Sequence, residues 1–543
     1  MPKVTINGKE LDAPEGINLI QAAEQLGIEI PHYCYHRGLS VVGNCRMCLV
    51  EVEKLPRLQI ACNTKVADGM VVHTDNERVK TVQAAVLEFL LVNHPIDCPV
   101  CDQAGECKLQ DYYMDYDARP SRFPLGRKNH KGKAIDISSG IMLDQERCIL
   151  CARCTRFFDE ITQTHELAIF ERGDHCMVDT YPGRKVDNRY AVNAVDICPV
   201  GALTEKDFRF RRRVWYLHRT PSVCGACERG CAIDIDHQRG RIYRFKPRFN
   251  PEVNGFWMCD EGRHSFPALQ SESRLVAPLV AQKDRLAAES WPAAIRRAAE
   301  AIAECKQTYG ANSIGAIIGG QSTNEEAFAL KRLVTETIGS SNVGAISYSP
   351  LDASGDDDLL IRANKNPNTR GLAALGIPAD GVDRLTGAVG SGELKLLIAM
   401  RADLARALGE DEFVRRFGSL DYLIVLDTDA TETARMANQV LAIAAYPELA
   451  GSFTSFKGRV QRLTRAFDPP GEARPALEVI ARLGQALDGR ERPSGADAVF
   501  AAMAAAEPAF SGLTLASLGE HGAPLAAQSY AAEALTSSPA AER

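Results

Sequence analysis

Thiols at close, repeated spacing are the residues of this chain most able to do chemistry. Seventeen cysteines occur, and all but one lie before residue 260. Fifteen of them fall into four groups. Cys34, Cys45, Cys48 and Cys62 form the first, spaced C-x10-C-x2-C-x13-C. The second, Cys98, Cys101 and Cys107 in "HPIDCPVCDQAGEC", is one donor short of a four-ligand cage. The third is Cys148, Cys151 and Cys154 in "CILCARC", followed after 43 residues by Cys198 and then Pro199. Cys224, Cys227 and Cys231 in "CGACERGC" are completed after 27 residues by Cys259. Cys176 and Cys305 stand outside the groups.

One isolated C-x2-C pair suits a structural zinc site as well as iron. Three thiolates in a single C-x2-C-x2-C loop instead match three corners of a cubane, and a distant Cys-Pro is the usual fourth corner in ferredoxins. The third group is therefore expected to hold a [4Fe–4S] cluster. A two-cluster ferredoxin carries another triplet before the far cysteine, but here those positions are Ala194, Ala191 and Asn188. One cluster is expected there, not two. The first group departs from the plant-type x4 spacing, yet its surroundings favour [2Fe–2S] over zinc. For the second group His94 is the candidate fourth ligand and Cys176 the rival.

These donors need elements to hold them. "KVTING" and "KELDA" are expected to be two strands joined at Asn7-Gly8, a strong hairpin signal. "INLIQAAEQLG" has helical periodicity with a glycine stop. Hairpin, helix and cysteine loop together indicate a β-grasp ferredoxin layout. "NERVKTVQAAVLEFLLVNH" is expected to be one amphipathic helix with Val79, Val82, Val86, Leu87, Leu90 and Leu91 on its apolar side, stopped by Pro95. That helix delivers His94 three residues before the cysteine loop. Cys176, in "DHCMVDTY", falls in a strand-like segment and is expected to be a buried thiol. "SIGAIIGG", "LKLLIAM" and "DYLIVLDT" look like buried parallel strands alternating with helices such as "WPAAIRRAAEAIAECKQ". Cys305 lies inside that helix, where packing is the expected role.

With 543 residues, 45% hydrophobic, 24% charged and a formal net charge of -7, the chain should form several soluble domains and is no nucleic-acid binder by composition. Its start shows no secretory or transit signal, and its apolar runs fall short of the roughly 20 residues that span a bilayer. A reducing compartment is expected, where cysteines more often bind metal than pair. "FRFRRRVWYLHR" mixes Arg209, Arg211, Arg212 and Arg213 with aromatics; these arginines either favour a reduced cluster, contact an acidic partner, or are simply solvated. "GAVGSG" at 387–392 lacks the order and frame of a dinucleotide loop.

The order of the four groups resembles the large iron–sulfur subunit of NADH-quinone oxidoreductase, respiratory complex I, with specific motifs over the first 265 residues and a looser match beyond. The resemblance implies His94, Cys98, Cys101 and Cys107 as ligands of a second cluster, a [4Fe–4S]. The fourth group resembles the [4Fe–4S] site of molybdopterin oxidoreductases such as formate dehydrogenase. "ELAGSFTSFKGRVQ" is similar to a molybdopterin-family stretch, with Ser452, Ser455 and Lys457 as departures. Glu261 stands where those enzymes place a lysine, and no ligand for molybdenum is evident. The C-terminal half is thus expected to be a scaffold without molybdopterin.

The fold class expected is multidomain α+β and α/β. It comprises a [2Fe–2S] β-grasp domain (1–78), a helical [4Fe–4S] segment with one histidine and three cysteine donors (79–118), a bacterial-ferredoxin-like segment (138–208), a molybdopterin-oxidoreductase-type cluster domain (217–273), a degenerate α/β domain (274–500) and an Ala-rich tail (501–543). No general base, nucleophile or flavin motif appears, so the expected function is electron relay through one [2Fe–2S] and three [4Fe–4S] clusters. The resemblance implies an FMN/NADH-binding partner, downstream iron–sulfur and quinone-site partners, proton translocation by the whole complex, and attachment to the cytoplasmic side of a bacterial inner membrane through partners. Two rivals are an electron-transfer subunit of a soluble NAD-linked hydrogenase or formate dehydrogenase, and a structural zinc scaffold.

Overall fold

Asn7 and Gly8 both take positive φ, 46° and 79°, which is the demand of a two-residue hairpin turn whose twist matches its strands. The turn joins β1 (Lys3–Ile6) to β2 (Lys9–Asp12) with Ile6 opposite Lys9. The helix α1 (Leu19–Gln25) follows, capped by a reciprocal Asn18–Gln21 box and ended before Gly27 at φ 69°. Strands β3 (Leu49–Val52), β4 (Gln59–Ile60) and β5 (Met70–His73) complete a five-stranded sheet in the order β2-β1-β5-β3-β4. Only the β1–β5 contact is parallel among its central pairs. Val4, Ile6, Leu19, Ile20, Val50 and Val72 form the core between sheet and helix. This is the expected β-grasp, and it leaves the cysteine loops outside the sheet.

The next helix, α2 (Glu77–Leu91), is capped by the Asn76 side chain. It buries Val79, Gln83, Ala84 and Leu87 and lays Val86, Leu90 and Leu91 against a second apolar cluster. It stops at Leu91, ahead of Pro95, because the residue before a proline is pushed out of helical geometry and the chain must already be turning. Helix α3 (Lys108–Tyr116) packs beside it. Beyond lies a small antiparallel sheet of Ile135–Asp136, Ile141–Leu143 and Leu203–Glu205, with short helices Arg153–Arg156 and Asn193–Asp196 between its strands.

The computed structural model describes residues 1–117, 119–283, 285–346 and 355–526, and it divides into two units, Met1–Leu217 and His218–Arg543. The second unit begins with an antiparallel meander of His218–Val223, Ala232–Gln238 and Arg241–Pro247. A seven-stranded sheet follows. Its parallel part places Val343–Ile346, Ile314–Gly319, Leu396–Met400, Tyr422–Asp427 and Gln439–Ala442 side by side, and an antiparallel hairpin Leu279–Gln282/Arg285–Ala288 closes the far edge. Alternation along the strands divides the core in two. Ile318, Leu396, Ile398 and Leu426 face helices Trp291–Tyr309 and Ala476–Asp488, whereas Ile317, Leu397, Ala399 and Val425 face helices Gly381–Gly390 and Glu410–Phe417. Both faces are covered, which is why these strands are continuous apolar runs.

Two expectations change. The segment expected as a tail from 501 lies largely within the domain: helix Ala496–Ala506 crosses that boundary, and Phe510, Leu515 and Leu518 are buried in the larger core. Alanine-rich composition hid a helix whose few large residues, Val499, Phe500 and Met503, do the packing. Residues 527–543 of the expected tail lie outside the described ones. Cys176 is half-exposed rather than buried, and the strand starts one residue later, at Met177–Asp179.

Gly344 and Gly381 let a helix touch the sheet backbone. A Cβ on Gly381 would lie 2.1 Å from the Gly344 Cα. Gly381→Ala must push the helix off the sheet, and we expect a loss of about 1–3 kcal/mol in chemical denaturation, with the clusters' spectra intact.

Candidate iron–sulfur centres

Four donor sets are built on loops between these elements. Among the described residues no three His, Cys, Asp or Glu side chains close on a point tightly enough for a single metal ion. Their fit to clusters is therefore judged from shared contacts, walls and donor chemistry.

At the first site the chain passes from α1 to Cys34, through Cys45 and Cys48 before β3, and on to Cys62 after β4. Positive φ at Gly43 (62°) and Arg46 (61°) curls the middle loop, and Cys34, Cys48 and Cys62 are almost wholly buried. The thiols associate in two pairs. A hydrogen bond from Cys45 pulls the pKa of Cys34 down to about 5, against burial, and raises that of Cys45 itself. Cys48 is likewise raised by its bond to Cys62, which is lowered. Two pairs of thiols are the donor set of a two-iron core with two ligands per iron.

At the second site Cys98 opens a single helical turn, Cys98–Val100, and Cys107 immediately precedes α3. The His94 imidazole is held to a pKa of about 4 by burial, against the charge of Asp97, so it is neutral, as a ligand must be. Its Nδ1 is buried without a hydrogen-bond partner among the described residues, an unusual cost unless something else takes that lone pair. Lys128 fixes the turn by donating to the carbonyls of Leu91 (3.0 Å) and His94 (2.6 Å). Cys107 is pushed up to about 12 by burial. The Cys101 thiol lies over Gly201, where a Cβ would sit 2.4 Å from Sγ.

The loop is also clasped by the arginine-rich segment. Arg213 donates to the carbonyls of Cys101 and Pro99, and the Phe210 N–H donates to Asp102 at 2.9 Å. Arg209, Arg212 and Arg213 stack over Phe210, Tyr216 and Trp215 at 4.7, 4.9 and 5.7 Å from the ring centroids. These three aromatics are 64%, 52% and 58% exposed. At least Arg213 is thus no solvated surface charge.

The third site has the clearest enclosure. One cavity of about 20 Å³ is lined by all four of Cys148, Cys151, Cys154 and Cys198, and otherwise by apolar side chains including Leu143, Ile149, Val178 and Leu203, with Arg153 at its margin. Leu150 and Ala152 sit at φ 53° and 57°, strained for residues with a Cβ. Alternating right- and left-handed backbone turns successive N–H groups inward, a cradle for an anionic core. The Leu150 N–H already points at Cys148 Sγ, 3.4 Å away. Burial raises Cys148 to about 12 and Cys151 to about 11. Metal therefore has to displace protons to enter.

First and third sites are bolted together by two arginines of helix Arg153–Arg156. Arg153 donates to Ile197 O (3.1 Å) and to Tyr35 O. The buried Arg156 donates to the carbonyls of Cys34 and Ser40. Cys34, Cys107 and Cys151, one from each of the first three sites, meet in a single apolar cluster with Tyr33, Met47, Leu87 and Tyr112. Cys176 takes no part: its thiol donates to Glu171 O at 3.6 Å and its carbonyl accepts from Lys131.

The fourth site, in the second unit, closes the end of the meander. Cys224 N–H donates to Cys231 O at 2.8 Å, and Gly230 (φ 65°) makes the turn. Cys259 caps the short helix Asp260–Arg263 and accepts from the Gly262 N–H at 3.3 Å. A Cβ on Gly262 would lie 3.0 Å from Cys224 Sγ and 3.4 Å from Cys259 Sγ, so these thiols converge over it. Burial raises all four, Cys259 to about 11. Lys365 pairs with Glu261 at 2.7 Å, returning a cation to the neighbourhood from a distant segment.

The α/β domain does not fit a pterin cofactor. In such sheets ligands bind beyond the carboxyl ends of the strands where the strand order reverses, here between Ile314–Gly319 and Leu396–Met400. A Cβ on Gly319 would meet Arg401 O at 1.8 Å. Arg401, itself at φ 49° and buried, forks onto Glu326 at 3.0 and 2.7 Å and donates to Ala444 O. The crevice is filled by an internal ion pair. Cys305 is packed in its helix, 3.3 Å from Ser313 Oγ.

Because the Cys101 thiol rests on Gly201, Gly201→Ala should weaken or abolish the second centre selectively. We expect EPR of the variant to lose that signal while the first-site signal persists.

Four family models match in chain order: a 2Fe-2S iron–sulfur cluster binding domain over residues 2–77, the NADH-ubiquinone oxidoreductase-G iron–sulfur binding region over 83–122, the NADH-quinone oxidoreductase subunit 3 ferredoxin-like domain over 138–204, and molybdopterin oxidoreductase over 274–365 and 363–486. The G subunit of the NADH-quinone oxidoreductase of Streptomyces coelicolor is 40% identical over 343 residues, 63% of this chain and 40% of that protein. The Rickettsia conorii protein of the same name is 40% identical over 342 residues, 63% of this chain and 50% of its own length. The mitochondrial NADH-ubiquinone oxidoreductase 78 kDa subunit of Candida albicans is 38% identical over 364 residues, 67% of this chain and 49% of that protein. The chain thus spans about half the length of the curated relatives it matches. A chain of a solved NAD+-reducing [NiFe]-hydrogenase is 29% identical, covering 39% of this chain and 91% of that one, with a TM-score of 0.36. This chain is a homologue of the G subunits of NADH-quinone oxidoreductase, with their iron–sulfur domains followed by a molybdopterin-oxidoreductase domain.

Proposed function

We propose that this chain is the electron-relay subunit of an NADH-quinone oxidoreductase, taking electrons from an FMN-bearing, NADH-oxidising subunit and passing them toward quinone. Its main support is the single buried cluster in which cysteines of the first three sites meet. Bound at these sites, each iron–sulfur core supplies reversible one-electron transfer without breaking a substrate bond.

Cys34, Cys45, Cys48 and Cys62 hold the two-iron centre in this proposal. His94, Cys98, Cys101 and Cys107 hold one four-iron centre, Cys148, Cys151, Cys154 and Cys198 another, and Cys224, Cys227, Cys231 and Cys259 a third. Apolar side chains exclude water, and Arg153 and Arg156 balance thiolate charge with guanidinium charge. The fourth site stabilises its own meander and lies off the main path. The domain division follows the four donor sets, at 1–78, 79–118, 138–208, 217–273 and the α/β region from 274.

Among the described residues no helix is long and apolar enough to cross a membrane. Partners would hold this chain at the cytoplasmic side of a bacterial inner membrane, where the whole complex couples electron flow to proton translocation. Exposed Phe210, Trp215 and Tyr216, stiffened by their arginines, suit such a contact, since aromatics and arginine are enriched in interfaces.

The test uses the intact complex, frozen milliseconds after mixing with NADH. We expect the wild type to show reduced signals from three centres, and His94→Ala to lose one of them while keeping the rest. If every signal survives that change, the ligand assignment is wrong.

A further inference from the structure

The stretch "ELAGSFTSFKGRVQ" lies in a domain whose crevice does not fit a pterin, yet its last two polar residues, Arg459 and Gln461, are both engaged with the fourth cluster domain. It folds as the hairpin Gly451–Thr454/Arg459–Leu463, with Phe453 opposite Gln461. Arg459 pairs with Glu252 at 2.9 Å. Gln461 is 3% exposed, and its amide is fixed at both ends: Nε2 donates to Gly230 O at 2.8 Å, and Oε1 accepts from the buried Asn250 side chain at 3.3 Å. Gly230, at φ 65°, makes the turn between Cys227 and Cys231, and a Cβ there would lie 2.9 Å from Gln461 Nε2. The same loop is gripped at two further points. Phe456, in the hairpin's turn, donates its N–H to Glu228 O at 2.9 Å, and the Glu228 N–H donates to Asn364 O at 3.0 Å. The Tyr446 ring lies over Gly225, where a Cβ would come within 2.8 Å of it. Gly225, Glu228 and Gly230, which alternate with Cys224, Cys227 and Cys231 along the loop, are thus each held by the α/β domain.

We infer that this hairpin clamps the fourth cluster loop, with Gln461 as the positioning residue that fixes the turn between Cys227 and Cys231, so that the α/β domain serves as the holder of the fourth centre. The inference rests on the proposal that Cys224, Cys227, Cys231 and Cys259 hold a cluster. Glutamine suits the task because one amide donates to the Gly230 carbonyl while accepting from Asn250, which neither a carboxylate nor an apolar side chain of that size does. Without that donor the buried Gly230 carbonyl must find another partner. The turn then shifts, carries its flanking thiolates away from the core and admits water.

The test compares the wild type with Gln461→Met, which keeps the length of the side chain without its hydrogen bonds, in the intact complex. The fourth-site EPR signal is identified by its absence from Cys259→Ala. In Gln461→Met that signal should disappear about tenfold faster under an iron chelator, an effect of the size expected for one broken buried hydrogen bond. Its midpoint should rise, because water reaching the core favours the more negative, reduced form. The other three signals should keep their midpoints and lifetimes. Should the variant complex fail to assemble, the full chain purified anaerobically and treated with the same chelator should retain about 10 of about 14 irons. An unchanged fourth-site signal, loss spread evenly over all four centres, or lower resistance to denaturant with that midpoint unmoved overturns the inference, as does a variant chain that does not fold. A wild type without any Cys259-dependent signal would instead refute the fourth cluster reading itself.

Discussion

Crowding fifteen thiols, with His94 the sixteen donors of the proposed centres, into loops that apolar side chains then seal creates the electrostatic problem the rest of this structure solves. A thiolate buried alone is strongly disfavoured, and the raised Cys107, Cys148, Cys151 and Cys259 thiols show that cost. Three kinds of positive charge would offset it: the iron of the proposed clusters, inward backbone N–H groups, and buried guanidinium. The second explains why Leu150 and Ala152 tolerate left-handed backbone between cysteines. The third explains why Arg156 is buried against carbonyls of the first site instead of reaching water. The arginines also tie the third site to the first.

Folding and metal loading are consequently linked. The β-grasp core of Val4, Ile6 and Val72 also contains Cys48 and Cys62 of the first site, and Leu87 of helix α2 packs with Cys34, Cys107 and Cys151, so sheet, helix and cysteine loops share their packing. The cages themselves converge through thiol pairs, glycines at Gly201 and Gly262, and carbonyl-capping arginines. In the second unit the balance is reversed. Its sheet is packed on both faces, and Arg401 and Glu326 form a buried ion pair at the carboxyl end of its strands.

Much of this was legible in the chain. Cysteine spacing marked the four groups, Asn7-Gly8 located the hairpin, and the short tether from the preceding helix made His94 the candidate fourth donor of the second group. Apolar runs such as "DYLIVLDT" marked strands covered on both sides. What spacing could not reveal was contact between distant positions. Arg156 and Cys34 are separated by 122 positions, and nothing around either residue advertises the other. Lys365 beside Glu261, and Arg401 in the crevice, are invisible for the same reason. Cys176 was misplaced because its strand begins one residue later, and the helix Ala496–Ala506 was missed because alanine gives little apolar contrast along a helix face.

Whether these cages contain iron and sulfide is decided most directly by assaying both on the anaerobically purified chain. With two irons at the first site and four at each of the others, roughly 14 of each per chain are expected. A folded, colourless protein that carries zinc and no sulfide would contradict the relay.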